Sequence, residues 1–458
     1  MHLSWHISRL SEQSAQQGGY LVKNVKKVIL ALATTVALLA LPLAANGEGP
    51  GKIDTGDTAF MLLSAALVML MTPGLAMFYG GMVRKKNVLG TLMHSFVAIA
   101  LVSVQWILFG YSLSFGPDVQ GIIGNLDWAF LQGVGIDPNP DYAATIPHMT
   151  FMIYQAMFAV ITPALIAGAF AERMKFSAFL IFTLLWSTIV YDPVAHWVWG
   201  TGGWLRNMGA LDFAGGIVVH ITSGISALAA ALVIGKRKGY LREAMPPHNL
   251  PMTVLGAGLL WFGWFGFNAG SALSSGGLST MAFVVTHTAA VAATLVWVII
   301  EWLHRGKPTM FGAATGSIAG LATITPASGF VGPMAALAVG AAAGVLCYLS
   351  LNLKPKLKFD DSLDAFGVHG VGGILGTIGA GLFAQKAINA AGADGLFFGN
   401  PRQLLVQLMS IATVAVFSFV VSLVLLKIID WTIGLKVTDE EELMGLDLSQ
   451  HEETGYQL

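Results

Sequence analysis

Cysteine is almost missing from this chain. Cys347 is the only one in 458 residues, which excludes an internal disulfide and any cysteine-built metal cluster. Charge is scarce too: Asp, Glu, Lys and Arg make up 11% of the residues, under half the share of an ordinary soluble domain. Neither sign predominates, with 24 Lys and Arg against 25 Asp and Glu, so no basic surface argues for nucleic acid. Neither HExxH nor GxSxG is present, which removes the usual signatures of a zinc or serine hydrolase; nothing calls for a metal or cofactor, and the chain does not read as an enzyme. Apolar side chains take their place, at 55% of residues and a mean hydropathy of +0.70. That composition is an all-α polytopic membrane protein. The 54 glycines suit helices that approach closely in lipid.

The N-terminus reads as a processed segment. Lys23, Lys26 and Lys27 precede VILALATTVALLALPLAA, which ends in small residues near Ala44–Ala45. Residues 1–45 are thus expected to be an extension plus a signal peptide, the competing reading being a first membrane anchor. Beyond them, apolar runs of about 20 residues centre near Leu67, Leu101, Val160, Leu184, Leu228, Leu260, Val291, Ala319, Ala341, Ile378 and Val416, predicting eleven transmembrane helices. Alternate connections carry Arg84-Lys85-Lys86, Arg173 with Lys175, Lys236-Arg237-Lys238 with Arg242, Arg305 with Lys307, and Lys354 with Lys356 and Lys358. The others carry only Arg206, Lys386 and Arg402. The positive-inside rule makes the first set cytoplasmic, with the N-terminus outside, as a cleaved signal would leave it, and the C-terminus inside.

Two histidines sit where histidines are expensive. His220, in LDFAGGIVVHITSGISALAAALVIG, and His369, in DAFGVHGVGGILGTIGAGLF, are embedded in apolar, glycine-rich spans. An ionisable group there faces a bundle interior or a water-filled path and marks a functional site; the plainer alternative is a histidine bonding a neighbouring carbonyl. The two fall in the fifth and tenth spans, and each follows an aspartate, a phenylalanine and glycines: Asp212-Phe213-Ala214-Gly215-Gly216 and Asp364-Ala365-Phe366-Gly367. Five is odd, so two such repeats are inverted, with a substrate path at their interface. The expected architecture is an inverted 5+5 repeat plus one C-terminal helix.

The runs TPGLAMFYGGMVRKKNVLG, AGAFAERMKFSAFLIF, VAHWVWGTGGWLRNMGALDFAGGIVVHI, PHNLPMTVLGAGLLWFGWFGFNAGS and DAFGVHGVGGILG resemble the ammonium transporter family of Amt, Mep and Rhesus proteins, most of all its bacterial Amt branch. The resemblance runs from about Asp57 to the C-terminus. It implies transport of ammonium: recruitment of the cation outside, deprotonation, and conduction of ammonia through a hydrophobic pore in each subunit. Phe158 and Phe267 match the paired rings that close the outer vestibule, where ring quadrupoles hold a cation above a seal against water. Trp199 and Ser271, with Phe158, match the recruitment site, the indole offering cation–π attraction and the hydroxyl a hydrogen-bond acceptor. Tyr154, one turn before Phe158, belongs to the same vestibule. His220 and His369 match the histidine pair that shares a proton in hydrogen-bond contact, and Trp264 an indole beside them. Asp212 matches an aspartate read here as structural and electrostatic, capping helix amides, rather than as a cation ligand. His94, His148, His196, His248, His287 and His304 show no metal spacing and are read as structural.

The domain expected from this is 57–435, followed by a cytoplasmic tail, 436–458. The tail, KVTDEEELMGLDLSQHEETGYQL, is polar and acidic. By composition it is a solvated, disordered tail; the resemblance implies instead that it packs under the protein and links subunits of a homotrimer, with a PII signal protein docking on the cytoplasmic face. A bacterial inner-membrane location in nitrogen metabolism follows from the same resemblance. The alternatives are a Rhesus-type channel for neutral gas, against which Trp199, Ser271 and the phenylalanine pair argue, and an ammonium sensor, which usually carries an appended signalling domain.

Overall fold

The computed structural model describes residues 52–456; the expected extension and signal peptide, residues 1–45, lie outside them. Among the described residues ten helices are long and apolar enough to cross a membrane: α1 Thr55–Met82, α2 Lys85–Phe115, α3 His148–Phe170, α4 Phe176–Met208, α5 Gly216–Ile234, α6 Leu250–Ala272, α7 Gly277–Arg305, α9 Pro333–Leu357, α10 Phe366–Phe383 and α11 Pro401–Thr432. The segment centred on Ala319 is shorter than expected. It forms α8, Met310–Ile324, of 15 residues, less than the about 20 a perpendicular crossing needs. Pro326 lies just beyond its end, where a continuing helix would be broken, and the chain turns through buried Ala327 and Ser328 instead.

Helices from the first and second halves of the chain pair with one another. α1 packs along α6, and α5 against α10. The α1–α6 pair is tight because it lacks side chains at the contact: a Cβ on Gly256 would sit 2.2 Å from the backbone nitrogen of Phe78. Such close backbone approach is the usual substitute for a hydrophobic drive between helices in lipid. α11 packs on α4, α5 and α10. One face of the bundle carries two short antiparallel ribbons, Asp118–Val119 with Ile123–Gly124 and Pro138–Asn139 with Ala143–Pro147.

The basic connections converge on the opposite face. Glu172, almost wholly buried, binds Arg84 at 3.0 Å and Arg237 at 3.0 Å. Arg237 also grips Asp360 at 2.9 Å, and Arg305 reaches Asn352 at 3.2 Å. Burial raises the Glu172 carboxyl, but Arg237 and Arg84 outweigh it and hold it below its ordinary value. The tail is folded here rather than solvated. Its helices, α12 Asp439–Met444 and α13 Leu446–His451, lie on the same loops: Glu442 accepts from the Lys238 amide, Asn87 accepts from the Leu446 amide at 2.8 Å, and Asp447 accepts from the Gly90 amide at 2.8 Å. Its acidic residues meet the basic loops, which composition alone does not reveal.

Candidate functional site: a histidine pair beneath an aromatic plug

His220 and His369 meet because α5 and α10 cross without side chains between them. A Cβ on Gly224 would lie 2.0 Å from the Gly370 nitrogen, and one on Gly373 would lie 2.9 Å from the His220 Cβ. Both histidines sit in π-helical first turns, Gly216–Ile221 and Phe366–Gly370, a wider winding frequent at functional sites. The rings stack with centroids 5.2 Å apart and planes 17° from parallel. The expected hydrogen bond between them is not formed. Near-parallel rings point their in-plane nitrogens alongside one another, and both His220 nitrogens and the His369 Nδ1 are buried without a partner. Two buried imidazoles left with free polar atoms are costly unless something transient uses them.

Each helix starts on a buried carboxylate. Asp212 Oδ1 accepts from the amides of Gly215 and Gly216 at 2.9 and 2.6 Å, and its Oδ2 from Ile217 and Val218 at 2.8 and 3.0 Å. Burial pushes its carboxyl up, and these amides pull it part of the way back. With four donors on it, the group has no lone pair aimed freely at a cation. At the start of α10 the matching group is Asp361, not the Asp364 that the sequence suggests. Asp361 accepts from the amides of Ala365 and Phe366 at 3.1 and 2.9 Å, while Asp364 turns its carboxylate to Lys354. The signal that finds Asp361 is spacing: Asp212 precedes His220 by the same eight positions as Asp361 precedes His369.

Above the histidines two rings seal the path. Phe158 from α3 and Phe267 from α6 stand 4.2 Å apart, tilted by 31°. Phe158 lines an outer cavity of about 310 Å³ together with Trp199, Asp212 and Ser271. Phe267 lines a chamber of about 10 Å³ with His220, His369 and Trp264, room for one water. Trp199 is half buried, meets Phe158 edge-on at 5.9 Å, and spends its N–H on the Asp212 carbonyl at 2.8 Å, which leaves the indole face to the cavity. Trp264 likewise donates to Thr325 at 2.9 Å and stacks on His220 at 5.5 Å. Ser271 donates to the Phe267 carbonyl at 2.9 Å. Tyr154 has a role its position does not announce: its hydroxyl reaches the carbonyls of Gly266 at 3.0 Å and Phe267 at 2.8 Å, fixing the end of α6 that carries Phe267 and Ser271.

The six histidines read as structural lie elsewhere. His148 bonds Tyr111, His196 bonds Asp118, His248 bonds the Val83 carbonyl and His304 bonds Tyr348; His94 packs on Phe179 and His287 on Trp261. No metal-binding cluster occurs among the described residues.

A vestibule, an aromatic plug and an apolar chamber holding two histidines define a multi-pass membrane protein built around a narrow path. The chain belongs to the ammonium transporter family, whose model matches residues 59–456. It is 56% identical over 406 residues to the ammonium transporter of Bacillus subtilis (strain 168), covering 88% of this chain and 99% of that one. A crystal structure of Saccharomyces cerevisiae Mep2 superposes with a TM-score of 0.81 at 36% identity, over 85% of this chain and 89% of that one. A structure described as a sensor Amt protein matches with a TM-score of 0.80 at 30% identity, over 86% and 98%.

Proposed function

We propose that the protein carries ammonium across the membrane by recruiting the cation in the vestibule, taking off a proton, and passing ammonia through the chamber. One observation carries this reading: an open, aromatic-lined cavity is separated by Phe158 and Phe267 from a chamber whose polar side chains are His220, His369 and the already bonded Trp264. A bare cation in such a chamber costs several kcal/mol. Trp199 and Ser271 hold ammonium where it is still hydrated. Ammonium then gives one proton to an imidazole nitrogen and continues as ammonia, and the coupled pair, suited to proton exchange near neutrality, relays or returns that proton. Potassium has no proton to surrender, so it is refused by chemistry rather than size.

Ammonium jumps on purified proteoliposomes adsorbed to a solid-supported membrane test this. Flux above that of empty liposomes is expected, and flux equal to it overturns the proposal; the recorded current shows whether the proton travels too. His220→Asp is expected to keep some flux but admit potassium, because a fixed carboxylate draws water and ions into the chamber. His369→Ala acts on the same unit, so the two losses are expected to be far from additive.

We further read all eleven apolar helices as crossing, α8 with the turn that follows it, which puts the vestibule outside and the basic face in the cytoplasm. Residues 57–435 are then the transport domain, preceded by a signal peptide and followed by the cytoplasmic tail, in a bacterial inner membrane. The family relationship supports a homotrimer and PII docking on the basic face.

A further inference from the structure

Asp361 has no role in the reading above, yet it stands to His369 as Asp212 stands to His220. Both carboxylates are buried, both sit eight residues ahead of the histidine, and both accept backbone amides at the start of a π-helical turn. Those helices begin inside the protein, where each exposes the positive end of a macrodipole, equivalent to roughly half a charge. The histidine pair lies in the first turns of both. A proton held on either ring is a cation facing two positive ends, and the two carboxylates offset them.

The two caps differ in their neighbours. Asp212 has four amides and no cation within salt-bridge reach. Asp361 has two amides, while Lys354 donates to its carbonyl at 2.7 Å and pairs with Asp364. Asp364, the adjacent Asp360, Tyr79 from α1 and Arg173 from the α3–α4 connection are the other ionisable groups near it. Burial raises the Asp361 carboxyl and Lys354 draws it back.

We propose that Asp361 is a positioning residue for the histidine pair, balancing the helix end beneath His369 with a charge that Lys354 trims. The inference rests on the transport reading. It gives substitutions on either side of one contact opposite signs. Asp361→Asn keeps the shape and an acceptor but removes the negative charge, so protonation of the pair becomes harder. Lys354→Gln removes the trimming cation, so it becomes easier.

The test is ammonium flux in proteoliposomes across a pH series, each variant taken as a ratio to the unsubstituted protein at the same pH, with thermal melting as the check on folding. The ratio for Asp361→Asn is expected to fall as pH rises, its midpoint displaced toward acid by about half a pH unit. The Lys354→Gln midpoint is expected to move the other way. Ratios flat with pH in both folded variants, or displaced in the same direction, overturn the inference while leaving transport intact. If Asp361→Asn does not fold, Lys354→Gln alone decides, an alkaline displacement supporting the inference and a flat ratio ending it. No flux from the unsubstituted protein removes the transport reading itself.

Discussion

The vestibule face and the basic face solve opposite problems with similar side chains. At the vestibule, Arg206 is exposed and bonds only the Trp199 carbonyl and Thr201, and Asp212 binds backbone amides alone. At the basic face, Glu172, Arg237 and Asp360 lock three connections together with little water around them. The first arrangement leaves aromatic faces open to the outer cavity. The second holds helix ends in place. The vestibule is therefore expected to bear on affinity, and charge at the basic face on the fold.

The sharpest way to break this contrast is to remove one arginine from each face. Arg237→Ala leaves Glu172 and Asp360 buried with too few partners and is expected to cost about 3–5 kcal/mol, seen as a large fall in melting temperature in detergent. Arg206→Ala, exposed, should change stability by less than about 1 kcal/mol. Equal losses would show that the faces are not built differently.

Acid sharpens the same contrast. Glu172 sits below its ordinary value of 4.5 in the folded protein. Its contribution is therefore complete above 4.5 and lost as pH falls through the lower folded value. Asp212 is raised above 3.8, so acidification favours its folded form instead. Melting followed down from pH 5 is expected to show a drop in the unsubstituted protein, on the order of a kcal/mol, that is flattened in Glu172→Gln. An unchanged slope in that variant would remove Glu172 as the cause.

Much of this was legible in the sequence because membrane spans and intramembrane histidines are loud local signals. Every expected apolar centre falls in one of the helices α1–α11. What stayed hidden depends on distant partners. Composition made the tail a solvated segment, yet Glu442 and Asp447 are buried where the Lys238 and Gly90 amides, both remote in sequence, donate to them. Asp364 drew the eye through its likeness to the Asp212 motif, whereas only the count of residues to the histidine picks out Asp361. The stacked rather than hydrogen-bonded histidines follow from how two glycine-lined helices cross, which no single segment encodes.

At the vestibule the expected effects are on recruitment. Trp199→Leu removes a cation–π face worth about 0.5–2 kcal/mol, so the apparent affinity for ammonium is expected to weaken roughly 2- to 30-fold with melting little changed. Concentration series of the ammonium-induced current read this directly, and an unchanged half-saturation would end the cation–π role of Trp199.

The smallest effect belongs to Tyr154→Phe, and it tests whether the vestibule holds any purely structural polar group. The hydroxyl carries one proton and stands near two carbonyls at the end of α6 and the Ser271 oxygen, at 3.2 Å. Phenylalanine keeps the ring against Phe158, 5.0 Å away, and gives up only the hydrogen bond. The carbonyl of Gly266 already accepts from the Gly270 amide, so it is not left bare, and the loss should stay near 1 kcal/mol. That is a fall of a few degrees in melting temperature. Half-saturation should move little, because the indole of Trp199 and the Ser271 hydroxyl, which has its own bond to the Phe267 carbonyl, remain in place. A drop in affinity as large as that of Trp199→Leu would instead make the Tyr154 hydroxyl part of the recruitment site and blur the division between the two faces.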